Sequence, residues 1–339
     1  MTTNGNPLLC LENLTVSFAP GRRHAGPSPG PERFEAVRAV SLSVAEREIH
    51  ALVGESGAGK SVTARAVPGL LPAAARLDAG SVSYRGRELT ALPREELRAL
   101  RGAEIGMVFQ DPGRYLNPSM RVGRQIAETL EEHLGMPRAA AKRRALELLE
   151  VVELAGTHRV LRSYPHELSG GMKQRALIAM AISCNPGLLI ADEPTTALDA
   201  TVQGQILDLL RRLRDELSMG LLFVSHDFGV VQAIADRVSV IYAGELVESA
   251  PAQILFSRPL HPYTDLLISA IPEAEKRGGR LRSVPGRPPL GGDVPSGCPF
   301  HPRCPRAREV CSLVGPPLVE HERGHSVACH FPGPEASYG

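Results

Sequence analysis

Residues 54–61 read Gly54-Glu55-Ser56-Gly57-Ala58-Gly59-Lys60-Ser61, which fits the pattern G-x-x-x-x-G-K-[ST]. Glycines at these positions let the backbone curl so that successive N–H groups point inward at phosphate oxygens. We expect all eight residues to bind a nucleotide, with Lys60 reaching the β- and γ-phosphates during catalysis and Ser61 holding Mg²⁺. An apolar strand pattern precedes the stretch and a helical pattern follows it, which is the context of a phosphate-binding loop.

Apolar strand patterns and helical patterns alternate along the chain. The strand patterns occupy 49–53, 105–109, 188–191, 221–224 and 238–242, and the clearest helical patterns occupy 139–154 and 203–217. Strands that alternate with helices predict a mainly parallel sheet covered by helices on both faces. The fold class predicted from this pattern is therefore α/β.

Three segments depart from this alternation. The stretch at about 112–180 contains consecutive helical patterns, which predict a helical subdomain inserted into the α/β core. Residues 20–33 are rich in Pro and Gly and predict a loop. Beyond residue 257 Pro and Gly become dense and long periodic segments disappear. We therefore predict an ATP-binding domain over 1–257 and a small extension, poor in regular structure, over 258–339.

Composition and charge exclude several classes of protein. The chain has 339 residues and a formal net charge of +1, so no general field draws it to nucleic acid. The longest apolar run, at 176–184, is about half of the 18 to 20 residues that span a bilayer. The N-terminus lacks the basic and apolar regions of a secretory signal. We expect a cytosolic protein whose six cysteines are not disulfides.

Two adjacent carboxylates, Asp192 and Glu193, follow the apolar strand pattern at 188–191. Ligands collect at the C-terminal ends of strands in sheets of this kind, so we expect Asp192 to bind Mg²⁺. We expect Glu193 to orient and deprotonate the water that attacks the γ-phosphate. Two acids after a strand also fit a solvated turn. The phosphate-binding loop elsewhere in the chain favours the catalytic interpretation.

A second glycine-containing segment narrows the class of protein with a phosphate-binding loop to which the chain could belong. Its sequence, Leu168-Ser169-Gly170-Gly171-Met172-Lys173-Gln174-Arg175, resembles the signature sequence of ABC ATPases. A serine and two glycines that open a helix make an anion site. In that family the site faces the γ-phosphate bound by the opposite protomer. The resemblance implies that Ser169, Gly170 and Gly171 bind a partner's nucleotide. It also implies a P-loop, RecA-like ABC cassette with a small antiparallel strand region near the N-terminus.

Four further residues resemble functional positions of the ABC family. Gln110 matches the Q-loop glutamine, which would touch Mg²⁺ and the attacking water. Asp199 matches the D-loop aspartate at the dimer seam. His226 matches the switch histidine, which would bond the γ-phosphate and hold Glu193 in place, although a lone histidine after a strand is more often structural. Phe18 aligns with the aromatic residue that stacks on adenine, and it could equally be a core residue that closes the first strand.

Three features outside the ATPase motifs resemble the dipeptide/oligopeptide importer branch. They are Gln110-Asp111-Pro112 with the segments 116–118 and 122–126, then His261-Pro262-Tyr263-Thr264, and then Cys298-Pro299-Phe300-His301-Pro302-Arg303-Cys304-Pro305. The resemblance implies an importer of di- and oligopeptides. The same branch includes importers of nickel and other small solutes, so that alternative stays open. A soluble, non-transport ABC ATPase is a further alternative.

Four cysteines, Cys298, Cys304, Cys311 and Cys329, lie close together in the predicted extension. A segment with little core gains order from a metal clip. Family resemblance favours a [4Fe–4S] cluster on these four thiolates. Zinc in a Cys₄ site and reduced thiols without metal remain open, because the spacing does not choose between them.

The resemblance also implies an assembly. Two ABC ATPase subunits, identical or homologous, would close around two ATP molecules and act on two transmembrane permease subunits. An extracytoplasmic solute-binding protein would deliver the substrate. The chain would then lie at the cytoplasmic face of the cell membrane as a peripheral subunit, with ATP and Mg²⁺ as its cofactors and no nucleic-acid partner.

Overall fold

The computed structural model describes residues 7–19, 33–271, 284–289 and 291–333. The chain divides into two compact units. Unit 1 comprises Met1–Leu9, Val44–Glu48 and Ala91–Val224, and unit 2 comprises Cys10–Ser43, Ile49–Thr90 and Ser225–Gly339. The predicted loop at 20–33 lies outside the described residues except for Arg33. The predicted domain boundary at 257/258 stays a prediction.

The regular elements are numbered in chain order. The strands are β1 Leu9–Phe18, β2 Phe34–Val44, β3 Ile49–Val53, β4 Ala75–Tyr84, β5 Arg87–Glu88, β6 Ile105–Val108, β7 Leu188–Asp192, β8 Gly220–Ser225, β9 Arg237–Tyr242, β10 Glu245–Pro251, β11 Val319–Glu322 and β12 His325–Val327. The helices are α1 Lys60–Ala66, α2 Arg94–Leu100, α3 Pro112–Tyr115, α4 Val122–Leu134, α5 Arg138–Val151, α6 Thr157–Val160, α7 Gly170–Ala181, α8 Ala200–Leu217, α9 Phe228–Ile234, α10 Ala252–Ser257, α11 Pro262–Ser269 and α12 Glu309–Leu313.

Unit 1 is built on parallel strands in the order β8-β7-β6. Every residue of β7 is buried, which explains why its sequence is continuously apolar up to Asp192. Parallel strands bring their C-terminal ends to one edge of a sheet, and that edge carries Gln110 after β6 and Glu193 after β7. The predicted α/β core therefore places two of the expected catalytic residues side by side.

The inserted helical segment of unit 1 is present as predicted. Helices α3 to α7 follow one another between residues 112 and 181, and no strand lies among them in this fully described stretch. Helix α4 packs against α5 and α7 through an apolar face that includes Val122, Ile126 and Leu130. It ends at Gly135, whose φ of 60° is the left-handed conformation common after helix C-termini.

Unit 2 contains a strand layer in the order β2-β1-β4-β5, of which β4 and β5 are antiparallel. A second group of strands has the order β11-β12-β10-β9-β3, in which β3 and β9 are parallel and the other pairs are antiparallel. The first layer agrees with the strand region expected near the N-terminus. The phosphate-binding loop begins directly after β3.

The C-terminal extension is more regular than the sequence predicts. Helices α11 and α12 lie in it, and the β11-β12 hairpin joins the sheet because β12 pairs with β10. A buried hydrogen bond accompanies this pairing, in which His325 Nε2 lies 2.7 Å from Glu248 Oε1. Residues 317–328 look irregular in sequence because their order depends on pairing with β10, nearly 80 positions earlier in the chain. The described part of the chain contains no helix long and apolar enough to span a bilayer.

Candidate nucleotide-binding and hydrolysis site

The loop at 54–61 in unit 2 is held so tightly that its glycines are required. A Cβ atom on Gly54 would lie 2.2 Å from the carbonyl oxygen of Ile241. At Gly59, which has a φ of 105°, a Cβ atom would lie 2.5 Å from the carbonyl oxygen of Ala36. Both distances are shorter than any side chain tolerates, and the positive φ adds strain for any other residue. The pattern predicted as a phosphate-binding loop therefore adopts the tight curled path that the pattern requires.

Lys60 is buried at the start of α1, and its side chain folds back over the loop. Its Nζ atom donates hydrogen bonds to the carbonyl oxygens of Gly54 at 2.8 Å and Glu55 at 3.0 Å. Ser61 follows as the second residue of α1. The ammonium group is thus placed above the curled backbone, where phosphate oxygens would meet both the cation and the N–H groups.

Glu55 of the loop contacts the C-terminal extension, which sequence reasoning did not foresee. Arg303 binds its carboxylate through two hydrogen bonds of 2.6 and 2.9 Å. The Tyr263 hydroxyl accepts a 2.9 Å hydrogen bond from the Glu55 N–H. Both partners lie in the segments 261–264 and 298–305 that the sequence singled out, but spacing alone gives no sign that these segments reach the loop.

The carboxylates at the C-terminal end of β7 are enclosed by unit 1. Asp192 is 0% exposed and Glu193 is 9% exposed, which argues against a solvated turn. Gln110 Nε2 donates a 2.9 Å hydrogen bond to Glu193 Oε2, and Thr196 Oγ1 donates another at 3.0 Å. Glu193 also has a φ of 50°, a value that is uncommon for residues other than glycine. The structure therefore fixes the Glu193 side chain from two sides.

The signature segment begins helix α7. Ser169 is its N-cap, and its Oγ atom accepts a 3.4 Å hydrogen bond from the Met172 N–H. A Cβ atom on Gly171 would lie 2.8 Å from Val202 Cγ1 of helix α8, so a larger residue would displace α7 from α8. Ser169 and Gly170 are exposed, as a surface that meets a second protomer would be.

The D-loop aspartate and the switch histidine each follow the end of a strand and precede a helix. Asp199 caps α8, because its carboxylate accepts hydrogen bonds from the N–H groups of Thr201 and Val202 at 3.1 and 2.9 Å. His226 is exposed after β8, directly before Asp227, which caps α9. The roles of Asp199 at the dimer seam and of His226 at the γ-phosphate stay predictions.

Phe18 lies at the end of β1 in unit 2 and is half-buried. Its ring stacks on Phe34, with centroids 5.8 Å apart and an interplanar angle of 16°. A fully buried core role is thereby excluded, since one part of the ring stays accessible. Adenine stacking stays a prediction.

The four cysteines of the extension line one small cavity in unit 2. Its other lining residues are His261, Pro262, Phe300, His301, Arg306, His330 and Phe331. Burial, together with the neighbouring thiols, raises the pKa of Cys298 to about 11, and burial raises the pKa of Cys329 to about 11 as well. Burial also raises the pKa of Cys304. Among the described residues, no group of three or more His, Cys, Asp or Glu side chains is placed to hold a single metal ion.

The structure brings the predicted residues together in three groups. Gln110 and Glu193 are joined in unit 1, close in sequence to Asp192 and in the same unit as the signature segment and Asp199. The loop at 54–61, Phe18 and His226 belong to unit 2. The four cysteines form the third group, also in unit 2.

Two family descriptions match the chain. Residues 37–196 match the ABC transporter family, and residues 247–311 match the family described as "Oligopeptide/dipeptide transporter, C-terminal region". Neither description names a metal, so the comparisons give no support for iron–sulfur or zinc.

Similar proteins match over nearly the whole chain. The oligopeptide transport ATP-binding protein OppD of Salmonella typhimurium is 44% identical over 96% of this chain and 94% of its own length. OppD of Escherichia coli is 46% identical over 96% of this chain and 93% of its own length. A putative peptide import ATP-binding protein of Brucella melitensis is 48% identical over 95% of this chain and 96% of its own length.

A solved structure shares the fold. It is the dimeric ATP-binding cassette MJ0796 in a post-hydrolysis state bound to ADP and Pi, with a TM-score of 0.63 and 29% identity. The match covers 72% of this chain and 98% of that one.

Proposed function

The chain belongs to the ABC transporter family, in the branch with an oligopeptide/dipeptide transporter C-terminal region, and from that premise we propose that it is the ATP-hydrolysing subunit of a peptide importer. It couples ATP hydrolysis to the uptake of di- and oligopeptides across the cytoplasmic membrane. The observation that carries the proposal is that the likeness to peptide import proteins covers 95 to 96% of the chain and so includes the C-terminal extension.

The match to peptide import proteins over the whole chain argues against two alternative functions. An importer motor for nickel or another small solute would share the branch, but the relatives compared above carry peptide import names. A soluble, non-transport ABC ATPase has no need for an extension of the transporter type, and this chain matches that extension over residues 247–311.

We assign the binding of ATP to the loop at 54–61 and to Phe18. Lys60 holds the β- and γ-phosphates, the loop N–H groups bind phosphate oxygens, and Phe18 stacks on adenine. Mg²⁺, when bound, neutralises charge on the phosphates, and Ser61, Gln110 and Asp192 are the residues that would hold it. The support is the curled glycine loop, the placement of the Lys60 ammonium group and the burial of Asp192.

We assign hydrolysis to Glu193 as the general base, with Gln110 and His226 as its supports. The carboxylate accepts the proton of the attacking water, and the hydrogen bond from Gln110 fixes its direction. His226 donates to the γ-phosphate. A carboxylate held by two donors is well oriented before the substrate arrives, which lowers the cost of reaching the transition state.

We propose that two such subunits act together. Ser169, Gly170, Gly171 and Asp199 of one protomer complete the nucleotide site of its partner, which is a second ABC ATPase subunit, identical or homologous. The exposure of Ser169 and Gly170 supports this assignment. Two permease subunits and an extracytoplasmic solute-binding protein complete the importer, and the chain lies on the cytoplasmic face of the membrane.

Deleting the gene for this chain is expected to lower uptake of labelled di- and tripeptides by at least about tenfold, because the permeases lose their source of free energy. Uptake of labelled nickel, measured in the same cells, serves as the control and should not change. The proposal would be wrong if peptide uptake persisted while nickel uptake was lost.

We further propose that Cys298, Cys304, Cys311 and Cys329 hold a [4Fe–4S] cluster. The four thiols line one cavity, yet the described residues contain no group positioned to hold a single ion. In such a cluster each of the four thiolates would bind one iron, and the support for the proposal is that all four thiols line the same cavity. Such a cluster would cross-link the extension, and the assigned hydrolysis steps do not use it.

Protein purified without oxygen is expected to be brown and to contain about four irons and four acid-labile sulfides per chain. Replacing Cys304 by Ser should lower both contents, because one iron corner loses its ligand. Replacing Cys10 by Ser is the matched control, since Cys10 lies outside the cavity. A colourless protein with one zinc per chain would favour the alternative site.

A further inference from the structure

Glu55, the second residue of the phosphate-binding loop, is held at three points. Arg303 binds its two carboxylate oxygens with distances of 2.6 and 2.9 Å. Tyr263 accepts a hydrogen bond from its N–H, and Lys60 donates one to its carbonyl oxygen. Because all three polar groups of one residue are engaged, the backbone torsions on both sides of Glu55 are fixed.

The Arg303 side chain is itself held in place by further contacts within the protein. It is 7% exposed, and its Nε atom donates a 2.6 Å hydrogen bond to the carbonyl oxygen of Pro285. Its Nη1 atom also lies 3.2 Å from the Tyr242 hydroxyl. The guanidinium is therefore a fixed positive charge beside the loop.

A carboxylate is an unfavourable group in a loop that binds a triphosphate. Like charges a few ångströms apart repel, and the repulsion is strong where water is partly excluded. The bidentate contact with Arg303 offsets the negative charge of Glu55 and turns both carboxylate oxygens toward the guanidinium. Without that partner, Glu55 would present a negative charge beside the phosphates.

We infer that Arg303 of the C-terminal extension is a positioning residue that sets the ATP affinity of the phosphate-binding loop by neutralising and orienting Glu55. The inference rests on the proposed function, since it concerns the same nucleotide site. It gives the extension a part in ATP binding in addition to whatever the cysteines hold, and it requires no metal.

A purely structural role of Arg303 predicts different results from a role through its charge. If Arg303 only anchored the extension, its loss would lower stability, and removing the charge of Glu55 would not repair the defect. If Arg303 acts through charge, the defect lies in ATP affinity and disappears when Glu55 is neutral as well. Two single variants and their combination therefore separate the two roles.

In the full-length chain, Arg303→Met is expected to raise the Kd for a fluorescent ATP analogue and the KM for ATP about tenfold, with kcat changed less than about twofold. Glu55→Gln should lower the Kd about threefold, because Arg303 then faces the phosphates without a competing carboxylate. The double variant Glu55→Gln/Arg303→Met should return to within about threefold of the unsubstituted protein.

Arg258→Met is the matched control. Arg258 pairs with Glu322 at 3.0 Å in the same unit, but the pair is exposed and does not include a residue of the loop. This variant should leave the Kd unchanged, and melting temperatures of all variants report on folding. An Arg303→Met variant with unchanged Kd, or a double variant as weak as Arg303→Met, would overturn the inference. An unsubstituted protein that binds no ATP would instead overturn the proposed function.

Discussion

Replacing Glu193 by Gln is expected to lower the kcat of ATP hydrolysis by at least about 100-fold while ATP still binds. Gln has the shape of Glu and can still accept the hydrogen bond from Gln110, so the loop after β7 keeps its geometry. It cannot take a proton from water, so on the proposed mechanism the protomers should stay closed around ATP. Phosphate release measures the first effect, and size-exclusion chromatography with ATP should detect a trapped closed dimer.

Glu153→Gln is a suitable control for this experiment. Glu153 lies in the same unit and is exposed, and its φ of 56° is close to the 50° of Glu193. The same chemical change on a similarly strained backbone should leave kcat unchanged. Normal turnover by Glu193→Gln would show that another group acts as the base.

Replacing Lys60 by Ala is expected to weaken ATP binding by at least about 100-fold and to abolish peptide uptake. The substitution removes the cation that would bind the phosphates. It also removes the donor to the carbonyl oxygens of Gly54 and Glu55, so the curled loop loses two of its hydrogen bonds. Titration with a fluorescent ATP analogue measures binding, and labelled peptide measures uptake.

The control for Lys60→Ala is Lys142→Ala, an exposed position on α5. This change removes the same charge from the chain and should alter neither binding nor uptake. Uptake that survives in Lys60→Ala would mean that the active nucleotide sites of the importer reside in its other ATPase subunit.

The sequence predicts those parts of the site that depend on residues close together in the chain. The loop at 54–61 needs glycine at particular positions because of its own curl, so its pattern is visible in eight residues. Asp192 ends β7 and Glu193 follows it, and the burial of that strand makes its sequence apolar up to Asp192. The hydrogen bond between Gln110 and Glu193 is different, because it joins residues 83 positions apart through the pairing of β6 with β7 and is not visible in the sequence.

The parts that sequence did not predict depend on distant pairing. Nothing near Glu55 indicates that Arg303 binds it, and nothing near β12 indicates that it pairs with β10. The stacking of Phe18 on Phe34 joins residues on either side of a Pro- and Gly-rich segment, so the spacing does not reveal it. Such contacts arise from the packing of whole elements, and local periodicity in the sequence does not reveal them.

Glu55 and Arg303 are separated by 248 positions in the chain. Synthesis proceeds from the N-terminus, and domains fold as they emerge from the ribosome. The loop that receives ATP is therefore translated long before the guanidinium that offsets its carboxylate. A nascent chain, or one cut short before residue 303, carries a loop with an uncompensated negative charge. If Arg303 sets the affinity of the loop as inferred above, only a polypeptide that extends past residue 303 gains full affinity for nucleotide.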